Sequence, residues 1–196
     1  MGKRLLGCGG LVVLVILIAA FMARGVYNNL VGLEEGVDAA WAQVENVYQR
    51  RADLIPNLVS TVKGAADFER ETLQAVVEAR AKVGQINFDE APTEGQLQQF
   101  QAAQDELSSA LSRLLVVVER YPELKATEAF RDLQVQLEGT ENRITVERQR
   151  YNEVARGYNT ARRRFPAVVL AGMMGFEPKA YFESKPGADT PPKVEF

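Results

Sequence analysis

The sequence lacks the residues on which most catalytic sites and disulfide frameworks depend. Its 196 residues include no histidine, and Cys8 is the single cysteine. These absences exclude histidine-based acid–base catalysis, Ser–His–Asp and Cys–His nucleophile systems, zinc fingers and disulfide frameworks. No Walker motif, dinucleotide-binding fingerprint or EF-hand loop occurs. We therefore expect no enzymatic activity, no catalytic residues, no metal site and no cofactor.

An extended basic stripe of the kind that follows a phosphate backbone is also missing. The net charge is −3, and acidic and basic residues are interspersed. The one dense basic cluster is Arg162–Arg164. We interpret it as a solvated helix end or a contact with anionic lipid, so nucleic acid is not an expected partner.

What the chain does contain is a long apolar run near its amino terminus. Leu5–Ala23 holds nineteen residues without a charge. As a helix it spans roughly 28 Å, about the thickness of a bilayer core. No small-x-small cleavage site follows it, which favours an uncleaved transmembrane anchor over a signal peptide. Lys3 and Arg4 precede the run and Arg24 follows it, so the positive-inside rule places the amino terminus in the cytoplasm and the body outside.

The rest of the chain shows apolar residues spaced alternately by threes and fours, which predicts amphipathic helices. One stripe runs from Val26 through Ala65 and Phe68 and fades at a loop over residues 83–96. A second covers 97–121, where Pro122 ends it, and a third begins at Phe130 and runs towards Phe165. These stripes predict an all-α fold in which the transmembrane helix continues into an antiparallel bundle of three long helices.

The expected organisation is a membrane anchor over residues 1–24, a helical bundle over 25–176 and an extended or partly disordered tail over 177–196. The apolar stretch Phe165–Phe176 is too short to cross a bilayer. It is expected to cap the bundle core or to lie at a membrane or subunit interface.

Arg51 interrupts the first apolar stripe and therefore needs a partner. The candidates are Asp53, Glu147, which interrupts the third stripe, or a carboxylate of another subunit. A buried polar pair that sets helix register is one interpretation, and a ligand-binding arginine is the other.

Pro56 lies five residues further on and leaves the carbonyl of Ala52 without its usual helical donor. The helix either continues with a kink or restarts with Asp53 as its N-cap. The stripe keeps its phase across Pro56, which favours continuity. Asn57 is then a candidate to hydrogen-bond a neighbouring helix near the freed carbonyl.

Two stretches of the chain, "VYNNLVGLEEGVDAAWAQVENVYQRRADLIPNLVSTVKG" and "RYNEVARGYNTARRRFPAVVLAGMMGFEPKAYFE", resemble the LemA family of bacterial membrane proteins. The resemblance covers nearly the whole chain. It implies a single-pass helical-bundle protein of the bacterial inner membrane, without an established enzymatic activity. It also implies association with the envelope, with the neighbourhood of a membrane protease and, in one branch, with magnetosome membrane formation.

Three Tyr-Asn pairs belong to this resemblance: Tyr27-Asn28, Tyr151-Asn152 and Tyr158-Asn159. If the first and last long helices are neighbours, these residues are expected to meet near the membrane-facing end. We interpret them as interfacial or register residues rather than ligand groups.

Three functional hypotheses follow. The first is a non-enzymatic scaffold that forms homo-oligomers and organises or shapes the lipid bilayer of the envelope. The second is an adaptor or regulatory subunit of another envelope protein, such as a membrane protease. The third is a small-molecule sensor that uses Arg51.

Overall fold

A computed structural model describes residues 2–64, 69–88 and 90–183, with the backbone alone at positions 2–9 and 12. In this part of the chain every regular element is a helix. The elements are α1 (Gly2–Lys63), α2 (Arg70–Val83), α3 (Glu94–Val118), the short α4 (Pro122–Lys125), α5 (Glu128–Arg163) and the short α6 (Ala167–Leu170). The all-α prediction is confirmed.

α1 is one continuous helix of 62 residues that joins the apolar run to the bundle. Leu11, Leu17 and Phe21 in the apolar run are all more than half exposed, whereas regular burial begins at Leu30. Within the described residues, α1 is the one helix long and apolar enough, by length and composition, to cross a membrane. The join between anchor and bundle therefore contains no turn.

In the part of the chain that the structure describes, the bundle contains four long helices, not the three predicted. α1 ends at Lys63 and α2 folds back beside it, because Arg80 reaches the carbonyl of Ala52. In a continuous helix these two residues would lie roughly 42 Å apart. The prediction of one unbroken stripe is wrong, because helical periodicity is the same whether a chain continues or reverses. Its positions 65 and 68 lie outside the described residues.

The predicted start and end of the second stripe agree with the structure. The backbone N–H of Thr93 donates to Gln96 Oε1 at 2.9 Å, which caps the first turn of α3. α3 ends at Val118, and Pro122 occupies the first turn of α4. α5 then returns along α1, which gives an up-down-up-down order for α1, α2, α3 and α5.

Two apolar cores fill the bundle. The distal core lies furthest from the apolar run and joins the end of α1 to α2, α3, α4 and the start of α5. The proximal core lies nearer the run and joins α1, α3, α5 and the chain after α5. Its fully or largely buried members are Leu30, Val37, Ala40, Trp41, Val44, Tyr48, Leu97, Phe100, Ile144, Tyr151, Ala155, Tyr158, Ala167, Ala171, Phe176 and Phe182.

The stretch Phe165–Phe176 has two faces. Ala167, Ala171 and Phe176 are buried in the proximal core, as expected for a cap on the bundle. The opposite face is exposed. Beyond it, residues 177–183 are extended and lie along α5, while residues 184–196 of the predicted tail lie outside the described residues.

Candidate functional site

The side chain of Arg51 lies inside the bundle and is only 2 % exposed. Its Nη1 donates to Glu141 Oε2 at 2.9 Å and to Ser108 Oγ at 3.0 Å. Its Nη2 donates to the side-chain Oε1 of Gln104 and, at 3.5 Å, to the backbone oxygen of that residue. The guanidinium carbon also lies 5.1 Å from the ring centroid of Tyr48. One arginine thus cross-links α1, α3 and α5.

The carboxylate that pairs with Arg51 is Glu141, and neither of the two partners predicted by name is correct. Asp53 accepts a hydrogen bond from Gln49 on the exposed side of α1. Glu147 lies six residues beyond Glu141 on α5, and its carboxylate is 3.9 Å from an arginine of its own helix. The partner belongs to the same chain, so no second subunit is needed to balance the charge.

A signal for this cluster was present in the sequence. Gln104 interrupts the apolar stripe of α3 as Arg51 interrupts that of α1. Two polar residues at seam positions of neighbouring helices are expected to pair, because each otherwise lies buried without a partner. Glu141 gave no such signal, since it is 56 % exposed and reaches Arg51 from the edge of the seam.

Pro56 lies within α1, which continues through it to Lys63. The prediction of continuity is confirmed, and a restart with Asp53 as N-cap is excluded. The freed carbonyl of Ala52 accepts a hydrogen bond from Nε of Arg80 at 3.0 Å. Asn57 was expected to hydrogen-bond near this carbonyl; it is exposed, and Arg80 is the residue that bonds the carbonyl. An arginine from α2 therefore replaces the backbone donor that proline lacks.

The second and third Tyr-Asn pairs bind the extended residues that follow α6. Asn152 Nδ2 donates to the backbone oxygen of Phe182, and the backbone N–H of Phe182 donates to Asn152 Oδ1, both at 2.9 Å. Asn159 makes the same two bonds with Lys179, at 2.8 and 2.9 Å. Each side-chain amide thus pairs with a backbone as a neighbouring β-strand would. We call residues 176–183 the clamped segment.

The spacing of these two asparagines explains why both can pair with the extended segment at once. Asn152 and Asn159 are seven residues apart on α5, which is about 10.5 Å of helix. Lys179 and Phe182 are three residues apart in extended chain, which is about 10 Å. A repeat of seven on a helix therefore matches a repeat of three on an extended segment.

Further contacts hold the clamped segment at both ends. Tyr158 donates its hydroxyl to the backbone oxygen of Glu177 at 2.9 Å, and Arg162 Nε donates to that of Phe176 at 2.8 Å. The ring of Phe182 packs against Tyr151, with centroids 5.5 Å apart. It also stacks on the central tryptophan of the proximal core.

Burial changes the acidity of the two tyrosines that face this segment. It raises the pKa of Tyr158 to about 12 and moves the pKa of Tyr151 above its ordinary range. Both rings are fully buried. Burial therefore favours the protonated hydroxyl, the form in which Tyr158 donates to the carbonyl of Glu177.

The first Tyr-Asn pair contributes differently. Tyr27 meets the start of the clamped segment through an edge-to-face contact with Phe176, with ring centroids 5.6 Å apart. Asn28 is exposed. The three pairs therefore do not act alike, and sequence reasoning missed that two of them bind the chain's own carboxyl-terminal region. The seven-residue repeat of Tyr-Asn was the signal that could have indicated it.

Neither cluster has the composition of a metal centre. Among residues 2–64, 69–88 and 90–183 no group of three or more His, Cys, Asp or Glu side chains is arranged to hold a metal ion. Arg51 with its partners, which we call the arginine cluster, and the side chains that bind the clamped segment, which we call the clamp, both join parts of one chain. Chemically, they can hold helices in register and fasten an extended segment.

A family model described as the LemA family matches residues 40–196, which is most of the chain and includes Arg51, α5 and the clamped segment. The chain belongs to the LemA family. Similar proteins include Magnetosome protein MamQ of Magnetospirillum gryphiswaldense, 30 % identical over 91 % of this chain and 71 % of the relative. Magnetosome protein MamQ 2 of Paramagnetospirillum magneticum is 28 % identical over 92 % and 74 %.

Protein LemA of Metamycoplasma hominis is 24 % identical over 76 % of this chain and 64 % of its own length. Together with the apolar run of α1, these relatives indicate that this LemA family member is a membrane protein. The family names do not describe enzymes.

Proposed function

We propose that this LemA family member is a non-enzymatic scaffold that self-associates and organises or shapes the bacterial envelope membrane. In this proposal α1 spans the inner membrane once, with the amino terminus in the cytoplasm and the bundle on the periplasmic side. The observation that carries the proposal is the unbroken passage of α1 from the apolar run into both cores.

A continuous helix couples the bundle to the bilayer mechanically. At 1.5 Å per residue α1 is about 93 Å long, of which roughly 28 Å is the apolar run. The remainder is held by α3 and α5 through Arg51 and by burial in the two cores. A bundle attached in this way cannot tilt freely about a flexible linker, so contacts between bundles would act directly on the orientation of the anchors.

Two further observations bear on the choice between the hypotheses. The side chain of Arg51 is enclosed by partners from its own chain, so we do not propose Arg51 as a ligand site. The similarity to proteins named for the magnetosome supports a role in organising a membrane.

Mass measurement of the full-length protein in lipid nanodiscs tests self-association. We expect particles that contain several copies of the 21.7 kDa chain. A strictly single-copy particle at all protein concentrations would contradict the scaffold. Crosslinking in cells distinguishes the adaptor hypothesis, because an adaptor recovers one stoichiometric foreign protein whereas a scaffold recovers chiefly itself.

A further inference from the structure

An exposed apolar face lies beside the point where α1 leaves its apolar run. On the loop that contains α6, Phe165 is 81 % exposed, Val168 53 %, Val169 60 % and Met173 83 %. The opposite side of the same loop is buried in the proximal core, so the backbone holds the exposed side chains on one surface. We call these four residues the apolar face.

The residues that line a groove between α1 and the loop show where along α1 the loop lies. A groove of about 400 Å³ separates α1 from the start of the loop. Its walls on α1 are Met22, Gly25, Val26, Asn29 and Leu30, and those on the other side are Ala161 and residues 164–167. Met22 is the last large residue of the apolar run, which ends at Ala23. The loop therefore lies level with the membrane–water boundary of the proposed anchor.

Exposed positive charge borders this face. Arg163 is the last residue of α5, Arg164 follows it immediately before Phe165, and both are exposed. Arg162 donates to the backbone oxygen of Phe176, so it stabilises the loop and we do not assign it a lipid contact. Apolar side chains flanked by arginines match the boundary of a bilayer, where acyl chains and anionic headgroups meet.

We propose that the apolar face inserts into the leaflet on the bundle side of the membrane that α1 spans, with Arg163 and Arg164 at anionic headgroups. This inference rests on the membrane anchorage in the proposed function, but not on self-association. The occupant is the bilayer because Phe165 of this face lines the same groove as Met22, which belongs to the apolar run that is long and apolar enough to span a membrane. Each molecule then has two lipid contacts, one spanning and one interfacial, and together they fix the tilt of the bundle.

Site-specific fluorescence in vesicles tests the proposal on the full chain. In a Cys8→Ser background, Val169→Cys is labelled with an environment-sensitive fluorophore. The matched control is Val135→Cys, because Val135 is a similarly exposed valine, 66 % exposed, on α5 far from the apolar run. Vesicles contain phosphatidylcholine with or without phosphatidylglycerol, and some contain lipid spin-labelled near the headgroup.

We expect the probe at position 169 to be quenched by spin-labelled lipid and to lose most of its quenching by aqueous iodide. The probe at position 135 should show the reverse. Phosphatidylglycerol should increase lipid quenching at 169, and Arg163→Gln with Arg164→Gln should abolish that increase.

Three outcomes would overturn the inference. If the protein floats with vesicles but iodide still reaches position 169, the anchor stands and the interfacial contact is refuted. If position 169 is shielded from iodide, is not quenched by lipid and responds to protein concentration, a second copy covers the face. If the protein does not float with vesicles, the anchorage and the inference fail together.

Discussion

Gln104→Leu is the substitution that most directly tests the cross-link made by Arg51. Gln104 is 4 % exposed, and its Oε1 accepts a hydrogen bond from the guanidinium. Leucine has a similar volume, so the change removes the acceptor without opening a large cavity. It leaves a buried cation with one partner fewer, and water has little access to replace that partner.

The expected loss follows from the one hydrogen bond that disappears, between Arg51 Nη2 and Gln104 Oε1. A hydrogen bond to a charged group contributes about 1.5–3 kcal/mol, and the bonds of Arg51 to Ser108, to Glu141 and to the backbone oxygen of residue 104 remain. We therefore expect the free energy of unfolding to fall by about 2 kcal/mol. For a chain of this size that corresponds to a decrease in Tm of about 4–8 °C.

Unfolding can be followed through Trp41, the one tryptophan of the chain, which is 2 % exposed in the proximal core. Urea titration of the full-length protein in detergent, read by the shift in its emission, gives the change in stability. Gln99→Leu is the matched control, because Gln99 is exposed on the same helix. It should change the free energy of unfolding by less than about 0.5 kcal/mol.

A second variant separates loss of a hydrogen bond from loss of packing. Arg51→Met combined with Gln104→Leu removes the charge as well as its acceptor, and Glu141, being 56 % exposed, can be solvated. Replacing buried polar partners together with apolar residues is often nearly neutral, so the double variant should regain stability relative to Gln104→Leu. The argument is contradicted if the losses in the free energy of unfolding from the two substitutions simply add. It is also contradicted if Gln104→Leu loses no more than its control Gln99→Leu.

Three other predictions concern the clamp, its tyrosine and the proline. Asn159→Ala should speed hydrogen exchange in the clamped segment about tenfold, because both hydrogen bonds to the backbone of Lys179 are lost together with the one to the Tyr181 hydroxyl, whereas the exposed Asn142→Ala on the same helix should leave exchange unchanged. With its pKa raised to about 12, Tyr158 keeps its proton in the folded state after the unfolded chain has released it near pH 10, so stability should fall as pH rises through that window. In urea titrations across that pH range, Tyr158→Phe should flatten the decline, and an unchanged slope would count against this assignment. Arg80→Met should lower the free energy of unfolding by about 1–2 kcal/mol, because a carbonyl of α1 loses its donor. The loss should largely vanish in a Pro56→Ala background, where the helix regains a backbone N–H, and an equal loss in both backgrounds would contradict this account.

Local signals predicted most of the secondary structure. The loop before Thr93 and the end of α3 before Pro122 were correctly placed, because caps and prolines act through neighbouring backbone groups. The reversal between α1 and α2 was not predicted. The buried residues of α2 continue the same spacing as those of α1, so the pattern contained no information about the direction of the chain.

The candidate site was predicted as a set of residues but not as a set of contacts. Arg51 stood out because a charge interrupts an apolar stripe, yet its carboxylate partner is ninety residues away and half-exposed. The Tyr-Asn pairs stood out as a repeat, yet their partners are backbone groups, which every residue carries. Backbone partners leave no mark in the sequence that a composition or motif search can recognise.

The sequence by itself determined the apolar anchor, the helical character and the membership of the LemA family, because each depends on composition, on local periodicity or on an extended run of matching residues. Tertiary structure alone decided which helices pack together, which carboxylate meets Arg51 and where the carboxyl-terminal segment lies. Those choices depend on distances across the bundle between residues far apart in the chain. Tertiary structure likewise brought the apolar face level with the end of the anchor, since the return of α5 along α1 sets its height.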